Sequence, residues 1–105
     1  MKMIRAIMRP EASDDVAEKL SEAGFTSLTK IPVFGRGRQK GIMVGTVRYD
    51  ELAKVLFLIV VNDESVEEII RLIKSETYTG NFGDGKIFVT SVDSAFTVRT
   101  GTKEL

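Results

Sequence analysis

Apolar positions recur along this chain in two rhythms, and their order predicts its elements. Residues Met3 to Met8 read as a strand, ended by Pro10, whose missing N–H cannot continue a sheet ladder. Val16, Ala17, Leu20 and Ala23 then recur at helical spacing behind the helix starters Ser13 and Asp14, and Gly24 supplies the stop. Phe25 to Phe34 is β-rich, and Pro32 within it calls for an edge or bulged strand. The unbroken apolar run Val55 to Val61 suits a central strand. Ser65 and Glu68 have the spacing of a capping box, and Val66, Ile69, Ile70 and Ile73 form the stripe of a second helix. The turn Gly83-Asp84-Gly85 leads into a last strand from Lys86 to Val92, with a tail holding Phe96, Val98 and Arg99 and a short extra strand.

The order is β-α-β, a long loop, then β-α-β, which matches an α+β, ferredoxin-like split arrangement with an antiparallel sheet. Each helix has one apolar stripe, so both lie on one sheet face. Ile4, Ala6, Met8, Phe57, Ile59 and Val61 are apolar on that face or its opposite, and an oligomer packing its sheets inward would cover the other side. The stretch from Gly35 to about Lys54 shows no sustained period, and a loop of that length in a small domain is usually functional.

Composition narrows the chemistry. The 105 residues make one domain, 1–105, with neither cysteine nor histidine. Disulfides, thiol catalysis and cysteine-ligated metal are excluded, and so are the commonest general base and metal ligand. An enzyme is therefore not expected. The run Val55 to Val61 is too short to span a bilayer, and Lys2, Arg5 and Arg9 interrupt the amino-terminal apolar residues, so membrane insertion is not expected and the cytoplasm is the simplest location. Net charge is zero, yet no carboxylate lies between Glu22 and Asp50, where Lys30, Arg36, Arg38, Lys40 and Arg48 all fall. One localised positive segment on a neutral protein fits a compact anion better than nucleic acid.

Two segments concentrate that chemistry: Gly35-Arg36-Gly37-Arg38-Gln39-Lys40-Gly41 and Gly83-Asp84-Gly85-Lys86. Each sets cations beside glycines, so backbone N–H groups and side-chain heads can converge on a phosphate or carboxylate. Neither has Walker or dinucleotide-fold spacing.

These motifs, in this order, resemble the PII signal-transduction proteins from Met1 to about Thr102. The matching stretches are Met3-Ile4-Arg5-Ala6-Ile7, Gly35 to Gly41, Leu52-Ala53-Lys54, Thr79-Gly80 with Gly83-Asp84-Gly85-Lys86-Ile87-Phe88-Val89, and Arg99-Thr100-Gly101. Gly41 to Gly45, Tyr49 to Leu52 and Ala95 to Gly101 look closest to the nitrogenase-associated PII-like regulators of methanogenic archaea.

The resemblance implies a trimer with nucleotide in the clefts between subunits and a regulatory loop over about residues 37–54. It implies that Thr29, Gly35, Gly37, Arg38, Gln39, Gly83, Asp84, Gly85, Lys86 and Arg99 bind ATP or ADP. Arg38 and Lys86 would take the triphosphate, and Thr29 would lie by the adenine. Gln39 would hold Mg²⁺ through its amide oxygen, and Gln39, Lys40, Gly41 and Lys54 would bind 2-oxoglutarate as effector. The implied function is nitrogen-status signalling that regulates nitrogenase through the loop, with a second PII-like paralogue as a further partner. Control of an ammonium transporter is the alternative within the family, and an RRM-like RNA-binding module the alternative outside it. Two departures stand out: Thr97 replaces a common arginine, and Ala53 a common proline. Phe82, Phe88 and Phe96 read as core or interface packing.

Overall fold

Alternation along the strands sets the two faces of the sheet. The computed structural model describes residues 1–36, 42–49 and 51–105. Strand β1 is Lys2–Met8, helix α1 Pro10–Glu22, strand β2 Thr29–Gly35, strands β3 and β4 Ile42–Val44 and Val47–Tyr49, and strand β5 Leu52–Val61. Helix α2 is Val66–Thr77, strand β6 Lys86–Ser91, and strands β7 and β8 Phe96–Thr97 and Thr102–Lys103. The main sheet runs β2-β5-β1-β6, with all three of its pairings antiparallel. Two β-α-β crossovers interleaved in this way give the expected split arrangement. Pro32 lies in the edge strand β2, the place in a sheet that tolerates a residue without an N–H, and the run Val55–Val61 lies in the interior strand β5.

The register places Ile4, Ala6 and Met8 opposite Ile59, Phe57 and Val55. With Val16 and Leu20 of α1 and Ile69, Leu72 and Ile73 of α2, these residues close a single core between sheet and helices. Phe57, Ile4, Met8 and Leu20 are fully buried there. Each such side chain contributes about 2–3 kcal/mol by leaving water. The opposite face carries Met3, Ile7, Ile31, Val33, Leu56, Leu58 and Val60, all half-buried and covered by neither α1 nor α2. Phe57 faces the helices, so among the described strand residues of the main sheet Phe88 is the aromatic on the open face. A base-stacking RNA platform of the kind an RRM uses is not built here.

Several boundaries differ from the sequence expectation. Helix α1 begins at Pro10 and not at Ser13 or Asp14, because Arg9 in an extended conformation hands Pro10 the first helical position. Proline's fixed φ suits that place, and Ser13 is turned inward, its hydroxyl donating to the Pro10 carbonyl at 2.9 Å. The helix ends as expected: Phe25 N–H bonds to Leu20 O at 2.8 Å and Gly24 N–H to Ser21 O at 3.0 Å, with Gly24 at φ 94°. That double bond around a left-handed glycine is a Schellman motif.

The capping box is not formed. Ser65 ends a 3-10 turn, Asp63–Ser65, and has helical angles of φ −94°, ψ −8°, with no capping bond from its side chain. A residue already in a helical turn cannot aim its hydroxyl back at the next turn's amides as an extended cap does. The long loop is not structureless either, since β3 and β4 pair as a hairpin through Val44 and Val47. Strand β5 also starts at Leu52, which puts Lys54 in the sheet and not in the loop.

Candidate anion-binding cleft

Register alone brings distant residues together at one end of the sheet. Gly35, the last residue of β2, pairs with Leu52, and Val33 pairs with Lys54. On the other side Ile7 pairs with Lys86, the first residue of β6. The turn before Lys86 therefore closes over the end of β1, facing the end of β2. Between them lies a cleft of about 560 Å³ lined by Gly35, Arg36, Leu52, Lys54 and the stretch from Asn81 to Lys86, with Ile7 and Phe88 beside them. Three cations, Arg36, Lys54 and Lys86, share it with the backbone of a glycine turn.

Gly85 makes the close approach possible. Its φ is +126°, and a Cβ there would overlap the Ile7 carbonyl oxygen while standing 3.1 Å from the Ile7 carbonyl carbon. No side chain fits that position, so the turn can lie against β1 only as glycine.

Asp84 ties the turn from within. Its carboxylate accepts from the Thr79 N–H at 2.7 Å and the Gly80 N–H at 2.8 Å, from the Thr79 hydroxyl, and from Arg9 Nη1 at 2.7 Å. Arg9 Nη2 also donates to the Phe82 carbonyl at 2.9 Å. The Thr79 hydroxyl first, then Arg9 and the Thr79 amide, hold the Asp84 carboxyl well below the usual carboxylate range. Lys54 Nζ donates to the Gly83 carbonyl at 3.2 Å. Burial lowers the Lys54 pKa, the nearby Arg9 charge adds to this, and Glu11 and Asp84 oppose it. An ammonium partly stripped of water and beside another cation gains much from a carboxylate or phosphate partner.

Of the residues marked from the sequence, the cleft gathers Gly35, Lys54, Gly83, Asp84, Gly85 and Lys86. Thr29 is exposed at the far end of β2, six strand steps and so about 20 Å from Gly35. Arg99 is exposed in the turn between β7 and β8, away from the cleft lining. Gly37, Arg38, Gln39, Lys40 and Gly41 lie outside the described residues. The residue-by-residue assignment left two cations out of the site: Arg36, which lies in the lining although its segment was marked, and Arg9 behind the turn. The glycine-rich segment already marked Arg36, whereas nothing local marks Arg9. Phe82, Phe88 and Phe96 are 69%, 45% and 64% exposed, so they are not core in the isolated chain.

Among the described residues no group of three carboxylates could hold a metal ion. The donor set fits a cation that arrives coordinated by phosphate oxygens, because Mg²⁺ often takes most of its ligands from phosphates and water.

Residues 1–102 match the protein family described as Nitrogen regulatory protein P-II. A Methanosarcina barkeri protein, "Nitrogen fixation nifHD2 region GlnB-like protein 1", is 56% identical over 105 residues, all of both chains. "Nitrogen fixation nifHD region GlnB-like protein 1" of Methanothermococcus thermolithotrophicus is 54% identical over 101 residues, 96% of each chain. "Nitrogen regulatory protein P-II 2" of Methanothermobacter thermautotrophicus is 44% identical over 105 aligned positions, covering 96% of this chain and 91% of that one.

Proposed function

The chain belongs to the nitrogen regulatory protein P-II family, whose members are signalling regulators and not enzymes, and we propose that it senses nitrogen status by binding ATP with Mg²⁺, together with 2-oxoglutarate, and regulates nitrogenase through its long loop. The observation that carries this reading is the convergence of Arg36, Lys54 and Lys86 with the Gly83–Gly85 backbone around one cleft. A triphosphate needs several cations and free amides in one place, and a dicarboxylate beside it needs a further cation held out of water. Lys86 would take phosphate and Lys54 the distal carboxylate of the acid. Bound Mg²⁺ would offset the repulsion between these anions, with Gln39 as its protein ligand.

The open sheet face supports a trimer. Its half-buried residues, Met3, Ile7, Ile31, Val33, Leu56, Leu58 and Val60, form an apolar surface, interrupted by Arg5 in β1, of the kind that marks an interface. In such an assembly Thr29 and Arg99, which lie away from this chain's cleft, would serve a nucleotide bound between subunits. Relatives named for nitrogen-fixation regions favour nitrogenase over a transporter as the target. A second P-II-like paralogue fits as co-subunit, since the relatives' names are numbered within their series. Effector binding shifts the loop only as far as it prefers one loop state, about 5.5 kcal/mol for a near-complete flip.

Calorimetric titration with Mg-ATP, with and without 2-oxoglutarate, tests the reading on wild type and Lys54→Ala. Uptake of 2-oxoglutarate only with Mg-ATP present, lost in Lys54→Ala, is expected. Failure to bind nucleotide would sink the sensor mechanism and leave the fold intact.

A further inference from the structure

We propose that Arg9 and Asp84 act as a positioning pair that holds the 79–85 loop in the shape presenting Gly83, Gly85 and Lys86 to an anionic ligand, which rests on the nucleotide reading above. Glycines with positive φ stand on both sides of Asp84, at 96° and 126°, so the loop backbone has little shape of its own. Its internal backbone bond, Asp84 N–H to Asn81 O, is long at 3.4 Å. Side chains supply what the backbone lacks. Asp84 Oδ2 gathers the Thr79 and Gly80 amides, and Oδ1 takes Arg9 and the Thr79 hydroxyl.

Arg9 in turn is fixed from outside the loop. It follows Met8, the last residue of β1, and caps α1, so its backbone is set by the sheet and the helix together. The two ends of its guanidinium span the loop from the Phe82 carbonyl to Asp84. A planar fork holds the two acceptors from two nitrogens fixed in one plane, whereas a lysine offers a single nitrogen on a flexible stem. The Arg9 and Asp84 side chains are 27% and 20% exposed, so the pair is partly sheltered from water.

Both Asp84 oxygens are already engaged. A carboxylate lining an anion site would otherwise repel its ligand, and Arg9 offsets that charge. Asp84 therefore shapes the site through the loop and does not contact the ligand.

The test uses Arg9→Met, Asp84→Asn, the double variant and Arg9→Lys in the full chain. Mg-ATP affinity is read by calorimetry at two salt concentrations, and amide hydrogen exchange is read without ligand. Each single variant is expected to weaken Mg-ATP about 10-fold, and the double variant also by about 10-fold instead of about 100-fold, because the two residues act as one unit. Arg9→Lys should retain part of the affinity. The Thr79 and Gly80 amides should exchange at least about tenfold faster while the β5 amides do not change. The salt dependence of binding in the double variant should match wild type, since it removes one charge of each sign.

Additive losses, unchanged affinity, or a flatter salt dependence in the double variant would each overturn the pair as a positioning device. If wild type takes up no Mg-ATP, the nucleotide reading fails and the ligand half of the proposal falls with it. The exchange data then decide the loop half: faster exchange in the variants keeps the clamp, and unchanged exchange removes it.

Discussion

Replacing Gly85 by alanine offers the sharpest test of how the cleft is built. Two costs combine at this position. The residue sits at φ +126°, a conformation L side chains rarely adopt, and holding a non-glycine residue in such a region costs about 1–3 kcal/mol. The new methyl also has nowhere to go, since it would overlap the Ile7 carbonyl oxygen and lie 3.4 Å from Met8 Cα. Those atoms belong to β1, the strand hydrogen-bonded on both sides, so they cannot swing aside as a flexible side chain would. Forcing extra volume into packed structure costs a further ~1–3 kcal/mol. The sum, about 2–6 kcal/mol, is a large share of the ~5–15 kcal/mol that holds a domain together. At roughly 5 °C per kcal/mol for a chain of this size, the melting temperature should fall by about 10–30 °C. Gly101→Ala is the control: its φ is +70° but no atom lies within 4 Å of the added Cβ. Only the backbone cost, about 1 kcal/mol or 5 °C, then applies. Thermal unfolding followed by circular dichroism, at matched protein concentration because association would raise Tm, measures both. A Gly85→Ala loss no larger than that of Gly101→Ala would refute the close approach of the turn to β1.

Gly35→Ala should behave oppositely, because its added Cβ meets only Lys54 Cγ at an ordinary 3.7 Å and its φ is not positive. Stability unchanged, or raised by about 0.5–1 kcal/mol through the glycine's lost chain entropy, is expected in denaturant titration. Acid should act through Asp84. Its carboxyl titrates lower in the folded protein than in the unfolded chain, so its contribution is complete above the ordinary pKa of 3.8 and is lost as pH falls below it. Urea titrations at pH 6 and pH 3 should therefore show Asp84→Asn losing less stability on acidification than wild type, and parallel losses would refute the assignment.

The elements that sequence made legible are those whose signal is local. The alternation in β1, the apolar run of β5 and the stripes of α1 and α2 each follow from nearest neighbours in the chain, and all four formed. The edge place of β2 followed from Pro32, because one missing N–H is a local fact with a topological consequence. Where two local signals competed, the reading failed. Ser13-Asp14 and Ser65 both looked like caps, but Pro10 starts one helix earlier and a 3-10 turn consumes the other. The extension of β5 back to Leu52 was hidden because Leu52, Ala53 and Lys54 have no strand signal of their own. They are held in the sheet by pairing with Gly35, Phe34 and Val33 of β2.

The cleft divides along the same line. Gly83-Asp84-Gly85-Lys86 and the basic segment from Gly35 announce an anion site by composition, and the register brings Gly35, Lys54 and Lys86 to one end of the sheet. What composition could not convey is the division of labour within the turn. Asp84 reads in sequence as one more polar group in a binding motif. Its two oxygens are taken by four donors, one of them 75 residues away. Arg9 in sequence is only a cation just past the first apolar strand, and it reaches the turn because Ile7 pairs with Lys86. Charge near an anion site is therefore not a reliable sign of contact with the anion. In this cleft the Asp84 carboxylate, itself in the lining, is paired with the Arg9 guanidinium, so that among the described residues Arg36, Lys54 and Lys86 are the lining cations not engaged by it.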